Sequence, residues 1–294
     1  MSRWFWIIAF CLIVAGTATA QAQGLGLASQ NSDSPLEIFA DDGIEWEQDA
    51  KRMVARGNAR AERGNVVVRA DTLVAYYNTL GADGAGDITM IEALGNVRIS
   101  SPKETAYGDS AKYDVQKAVL VLWGKDLRLV SDKATITASE SLEYWDERHQ
   151  AVARGNATAT RDGRTLQARV LTADFLPDPK TGDIALSVIK AFDNVVVTTP
   201  EERATAQKGA YDVKSGIAVL EGSVKINRGG NELTGEYATV NLDQGKSTIY
   251  ASKPKTGKTG TSSGDNTTKR VKMFLVPSKD KTSGKTPDKS APKP

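Results

Sequence analysis

The sequence predicts an all-β fold of stacked, repeated layers, and three observations carry the prediction. The first is self-similarity. Val54-Ala55-Arg56-Gly57-Asn58-Ala59 recurs as Val152-Ala153-Arg154-Gly155-Asn156-Ala157, a shift of 98 residues. The same shift lays Gly95-Asn96-Val97 over Asp193-Asn194-Val195, Tyr113-Asp114-Val115 over Tyr211-Asp212-Val213, and Gly124 over Gly222, without a gap. A tandem duplication explains this, and a fixed period is the signature of repeat architectures. The second observation is alternation. Two residues before each Gly-Asn centre stand Ala55, Ala93, Leu122, Ala153, Ala191 and Leu220. Two after stand Ala59, Val97, Ala157, Val195 and Val224, and four after stand Ala61, Ile99, Ala159, Val197 and Ile226. The positions between them vary freely (Arg60, Arg98, Thr158, Val196, Lys225), so each segment reads as a strand with one buried and one wet face. The third is the absence of any convincing long helix. Val66-Val67-Val68-Arg69-Ala70 and Leu73-Val74-Ala75-Tyr76-Tyr77 are short, β-rich and bounded by Gly, Asn or Asp.

From the start of the chain, residues 1–22 read as a secretory signal peptide. Arg3 is the positive n-region, and Trp4–Ala15 is an apolar run of twelve residues. Cleavage is expected after Ala18-Thr19-Ala20 or Ala20-Gln21-Ala22. Twelve apolar residues fall short of the roughly 20 that span a bilayer. Residues 23–34 form a lead segment, and 35–276 the repeated β-domain. Cys11 is the only cysteine, so sheet hydrogen bonds and apolar burial, not disulfides, must hold the mature chain together.

Within the β-domain the Gly-Asn centres or their variants (Gly57, Gly95, Gly124, Gly155, Asp193, Gly222) are spaced by 38, 29, 31, 38 and 29 residues. That suits a layer of a few strands, with about twenty short strands in all. Gly and Asn both tolerate positive φ, so each pair supports a bend where a strand turns a corner. The Gly124 unit breaks register, since Leu127 and Leu129 fall three and five residues on; a bulge is the expected cause. Residues 253–268 read as a flexible Gly/Lys/Thr insert and Val271–Val276 as a last strand. Residues 277–294 read as a disordered basic tail.

Charge and chemistry narrow the function. Residues 251–294 hold 11 Lys/Arg against 3 Asp/Glu; with Arg3 of the signal peptide also set aside, the body has 26 basic and 33 acidic residues. A mildly acidic body argues against nucleic acid as a partner. His149 is the only histidine, and its polar surroundings read as a turn, so a catalytic triad or a Cys/His metal site has no basis in composition. Adjacent acids such as Asp41-Asp42 and Glu201-Glu202 point to opposite faces of a strand. No enzyme, cofactor or metal is expected. Ile44-Glu45-Trp46 aligns with Leu142-Glu143-Tyr144 under the shift, and Trp46, Tyr77, Tyr113, Tyr144 and Tyr211 recur among aliphatic residues. Small residues near the bends are expected to leave room in the interior for a guest with alkyl chains.

Pro35-Leu36-Glu37-Ile38-Phe39-Ala40-Asp41, then Arg56-Gly57-Asn58-Ala59 and Val66-Val67-Val68-Arg69-Ala70-Asp71, and finally Lys269-Arg270-Val271-Lys272-Met273-Phe274-Leu275-Val276-Pro277-Ser278 follow an order that resembles the LptA/OstA-like family of periplasmic lipopolysaccharide transport proteins. The resemblance implies an open, twisted β-jelly roll whose apolar groove shelters the acyl chains of lipid A. It also implies head-to-tail self-assembly through edge strands, and a bridge from an LptC-type inner-membrane protein to an LptD-type outer-membrane protein. Leu36, Ile38, Val66, Val68, Val97, Ile99, Tyr113 and Val115 match interior positions on that view. Ile44, Trp46, Leu73, Leu120, Leu122, Leu142 and Tyr144 join them as expected groove residues, with Val195, Val197, Tyr211, Val213, Leu220, Val224 and Ile226 from the second copy. Two departures stand out: the chain carries about one more 98-residue unit than a typical member, and the 253–268 insert separates the last strands. Three other readings compete. An LptC-like protein or LptD N-terminal module would keep an anchor or precede a barrel. A polysaccharide-active β-helix would cluster acids on one outer face. A structural repeat protein would bind no lipid.

Overall fold

The computed structural model describes residues 36–78, 87–132, 134–177, 184–241, 246–254 and 270–274. The signal peptide, the lead segment, the insert beyond residue 254 and the tail lie outside the described residues. Within them the chain is one antiparallel sheet of 18 strands. The first copy holds β1 (Glu37–Phe39), β2 (Gly43–Glu47), β3 (Arg52–Arg63), β4 (Val66–Tyr77), β5 (Ile88–Ser100), β6 (Glu104–Asp114), β7 (Val119–Trp123) and β8 (Arg128–Ser131). There follow β9 (Thr135–Thr137), β10 (Ser141–Trp145), β11 (Gln150–Arg161), β12 (Arg164–Pro177), β13 (Ile184–Thr198), β14 (Glu202–Asp212) and β15 (Ile217–Arg228). β16 (Asn231–Asn241), β17 (Lys246–Tyr250) and β18 (Lys272–Phe274) close the chain.

The sheet is folded along its length into two walls. Ten strands are long enough to cross from one wall to the other, and their pairing register breaks at the crossing. In β3 the break lies between Arg56 and Ala59, in β5 between Leu94 and Val97, in β11 between Arg154 and Ala157, and in β13 between Phe192 and Val195. The first wall runs β2-β3-β4-β5-β6-β7-β10 and on through β11–β17. The second runs β1-β3-β4-β5-β6-β8-β9-β11 and on through β12–β16 to β18. Each wall therefore holds fourteen strands, and at ~4.8 Å per strand the sheet is about 60 Å long. This is the layered, open β-jelly roll that the sequence predicts.

The strands are longer than the sequence reading expects. β13 has 15 residues, because one strand passes through the corner instead of ending there. The Gly124 unit differs for another reason than a bulge. The strand is cut there, with β7 ending at Trp123, β8 starting at Arg128, and Leu127 buried in the loop between.

Gly-Asn makes the corner. Gly57, Gly95 and Gly155 have φ of 76°, 77° and 80°, and the asparagines that follow lie at 42°, 49° and 44°. Two consecutive residues in the left-handed region turn the strand without breaking the ladder on either side. The asparagine then braces the corner: Asn58 Nδ2 donates to Asp41 Oδ2 at 2.7 Å, and Asn96 Nδ2 to Asp71 at 2.9 Å. A Cβ on Gly95 would run into the Asp71 carboxylate. At the matching corner of the second copy Asp193 replaces that glycine, and Arg169 stands 98 residues on from Asp71. There the charges exchange places, and Arg169 Nη2 pairs with Asp193 Oδ2 at 2.8 Å.

Candidate functional site

The inward side chains form continuous rows along the sheet. In the first wall the row nearest the corner runs Ile44, Ala55, Leu73, Ala93, Ala111, Leu122, Leu142, Ala153, Leu171, Ala191, Gly209, Leu220, Ala238, Ile249, each a cross-strand partner of the next. The next row out carries Trp46, Tyr113, Leu120, Tyr144 and Tyr211. In the second wall one row runs from Ile38 through Ala61, Val68, Ile99, Ala106 and Leu129 to Ile226, Leu233 and Met273. No charged residue interrupts these rows.

Most residues expected in the interior are there. Val66, Val68, Leu73, Val97, Ile99, Tyr113, Leu120, Leu122, Leu142 and Tyr144 are buried in one core cluster. Val195, Val197, Tyr211, Leu220, Val224 and Ile226 belong to it too, and Leu36, Ile38 and Val213 are partly buried against it. Three sit differently. Ile44 and Trp46 share the inward parity but are 52% and 55% exposed, because β2 is a terminal strand with no layer beyond it. Val115 follows the last residue of β6, lies in a turn and is exposed. The small residues also act otherwise than expected. Ala59 and Ala157 are fully buried, and a Cβ on Gly209 would meet Leu220, Val195 and Ala191. Near the corner small residues alternate with Leu73, Leu122, Leu171 and Leu220 across the strands, so the alanines and Gly209 let the walls meet around the leucines.

Away from the corner the two walls end in hairpin turns, and the interior becomes polar. Asp146, in a short 3-10 turn after β10, is the only buried charged residue among the described residues. The Tyr113 hydroxyl donates to its Oδ2 at 3.2 Å. Burial and the Asp146 charge hold the Tyr113 phenol well above its ordinary range. The same two causes, with Glu104 of the facing wall added, raise Tyr144 to about 12. Glu104 and Glu202, 98 residues apart, are both shifted upward by burial, with Lys103 and Arg228 respectively offsetting part of it. The interior is thus apolar at the corner and middle and polar at the rim. Its lining matches alkyl groups in the middle and polar groups at the turns. The apolar rows were legible as alternation. The rim was not, because Tyr113 and Asp146 meet across 33 residues through the strand pairing.

Among known proteins, the pattern of the family described as "LptA/(LptD N-terminal domain) LPS transport protein" matches residues 37–144 and again 135–246. A protein of Rhizobium meliloti (strain 1021) described as "Uncharacterized protein R00383" is 29% identical over 129 residues, 41% of this chain and 67% of its own length. Among solved structures, LptH from Pseudomonas aeruginosa, the LptA-homologous periplasmic component of its lipopolysaccharide transport device, is 13% identical. That likeness covers 83% of this chain and 96% of LptH, with a TM-score of 0.20.

Proposed function

The chain belongs to the LptA/(LptD N-terminal domain) family of LPS transport proteins, and from that premise we propose that it carries lipopolysaccharide through the periplasm with the lipid A acyl chains between its two walls. The observation that carries the reading is the unbroken run of inward apolar rows from Ile38 to Met273. Each methylene left in water costs about 0.8 kcal/mol, so a guest with several acyl chains needs shelter along the whole path. Apolar contacts are non-directional, which lets the guest advance from layer to layer without a covalent step. Among the described residues the strand backbones join the walls at the corner, so parting the walls at the rim opens the interior while the corner hydrogen bonds persist. The signal-peptide pattern at the start of the sequence supports a periplasmic location.

The ends of the sheet support assembly. Phe39, Ile44 and Trp46 are exposed at one end, and Val271, Met273 and Phe274 at the other. Unpaired edge strands are ready templates for another strand. On this reading copies stack head to tail, with an LptC-type protein at one membrane and an LptD-type protein at the other.

The test is paired photocrosslinking in living cells at Leu166 and Gln167. Leu166 is buried inward and Gln167 is exposed on the outer face. A lipopolysaccharide adduct at Leu166 and little at Gln167 is expected. Adducts at neither position, with the protein folded and exported, would leave only a structural role for the interior.

A further inference from the structure

The outer face of the second wall carries a row of arginines. Arg60, Arg69, Arg98, Tyr107 and Arg128 are successive cross-strand partners on β3, β4, β5, β6 and β8. At ~4.8 Å per strand the row is about 19 Å long and parallel to the interior rows. Side chains directly opposite on neighbouring strands lie close together, and like charges so placed are destabilising. Little within the chain offsets this. Arg60 pairs with Glu62. Arg98 and Arg128 lie over the Tyr107 ring, at 5.7 and 4.2 Å from its centre. Among the described residues no carboxylate lies within ion-pair distance of Arg69, Arg98 or Arg128, and the nearby Asp71 is hydrogen-bonded to Asn96.

The fold does not require the full row. The second copy has the same layers, and its matching positions are Thr158, Gln167, Val196, Thr205 and Lys225, the last of which is paired with Glu232 at 2.7 Å. A row of four arginines with one carboxylate partner in the first copy, where the second keeps a single lysine neutralised by Glu232, points to an anionic partner for the first. Guanidinium groups grip phosphate oxygens two at a time. The row also lies three residues in from the turns that edge the second wall, about 10 Å along the strand. A polar headgroup leaving the rim meets this face first.

Resting on the reading of the interior as an acyl-chain carrier, we propose that the Arg60–Arg69–Arg98–Arg128 row binds the phosphate groups of the same lipopolysaccharide's saccharide headgroup. The first copy thereby becomes the cationic half of the track. The guest is held at two places, acyl chains inside and phosphates outside. The second copy holds it by the interior alone.

The test uses the full mature chain and an Arg69→Gln/Arg98→Val variant, which takes the residues that the second copy already has at those positions. Binding is measured to purified lipopolysaccharide, to the same lipopolysaccharide with its phosphates removed, and to phosphatidylglycerol/phosphatidylcholine vesicles. The expected result is about tenfold weaker binding of intact lipopolysaccharide by the variant, with a weaker dependence on salt. The dephosphorylated form should bind both proteins alike. An Arg69→Lys/Arg98→Lys variant, which keeps charge without the planar fork, should fall between, and it serves if the first variant melts early. Equal binding of intact lipopolysaccharide by all three proteins would overturn the proposal and leave the interior reading standing. No binding of either form by the native chain would sink both. Loss of vesicle binding with lipopolysaccharide binding unchanged would also overturn it, making the row a membrane contact.

Discussion

At the residue scale the rim and the corner are the sensitive places. Glu104 is held at the rim with its carboxyl shifted upward by burial. A carboxyl that binds its proton more tightly folded than unfolded favours the fold at pH below the unfolded value and loses that contribution as pH rises through the folded one. Glu104→Gln should therefore raise the melting temperature most at pH 7 and leave it nearly unchanged at about pH 4. Thermal melts across that range check it, and an equal effect at both ends would show that burial is not the cause. At the corner, Gly95→Ala brings a Cβ against Asp71 at positive φ, and should cost roughly 1–3 kcal/mol. The second copy suggests the remedy. Gly95→Asp with Asp71→Arg rebuilds the Arg169–Asp193 pair and should melt above Gly95→Asp alone, as a double-mutant cycle by chemical denaturation would show. The alternation and the bends could be read from sequence because both depend on neighbours along the chain. The Asp71/Arg169 exchange could not, since each of these side chains meets its corner only through the register of the next strand.

At the element scale the informative contrast is between the cut β7/β8 corner and the continuous β15. Residues 124–127 lie outside the ladder, so a glycine inserted after Lys125 lengthens a loop and should shift the melting temperature little. The same insertion after Lys225 falls where β15 is paired on both sides. It would turn Ile226 to the wet face and send the residues after it to the wrong side. Loss of that buried side chain alone costs about 2–5 kcal/mol, so this variant should melt far lower or fail to fold. Similar melts for both insertions would mean that the register past the corner is not fixed by the apolar rows. The sequence reading misjudged both strands for one reason. Periodicity shows which face a residue takes, but not whether the backbone runs on through a bend.

At the scale of the whole molecule the strand bounds repeat. β3 and β11, and β6 and β14, are 98 residues apart at both ends, and Ile38↔Ala61 in β1/β3 corresponds to Ile136↔Ala159 in β9/β11. Joining Lys51 to Gln150 removes one period and brings β1 and β2 onto β11 in the places of β9 and β10. That variant should fold, with a sheet shorter by six strand spacings, about 29 Å. Small-angle scattering measures the length, and an unfolded or aggregated product would show that the layers are not interchangeable. The arginine row would go with the deleted period, and any binding that depended on it should go too.

The pairing pattern has one more consequence. Apart from the late return of β18 to β16, every strand pairs with one that lies close to it in sequence, and none waits for a partner from the far end of the chain. Large sheets usually fold slowly because distant segments must find each other. Here closure is local at each step, so layers can be laid down in the order in which the chain emerges. Each completed layer is the template for the next, and amide protection should be strongest in the middle strands and weakest at the two ends.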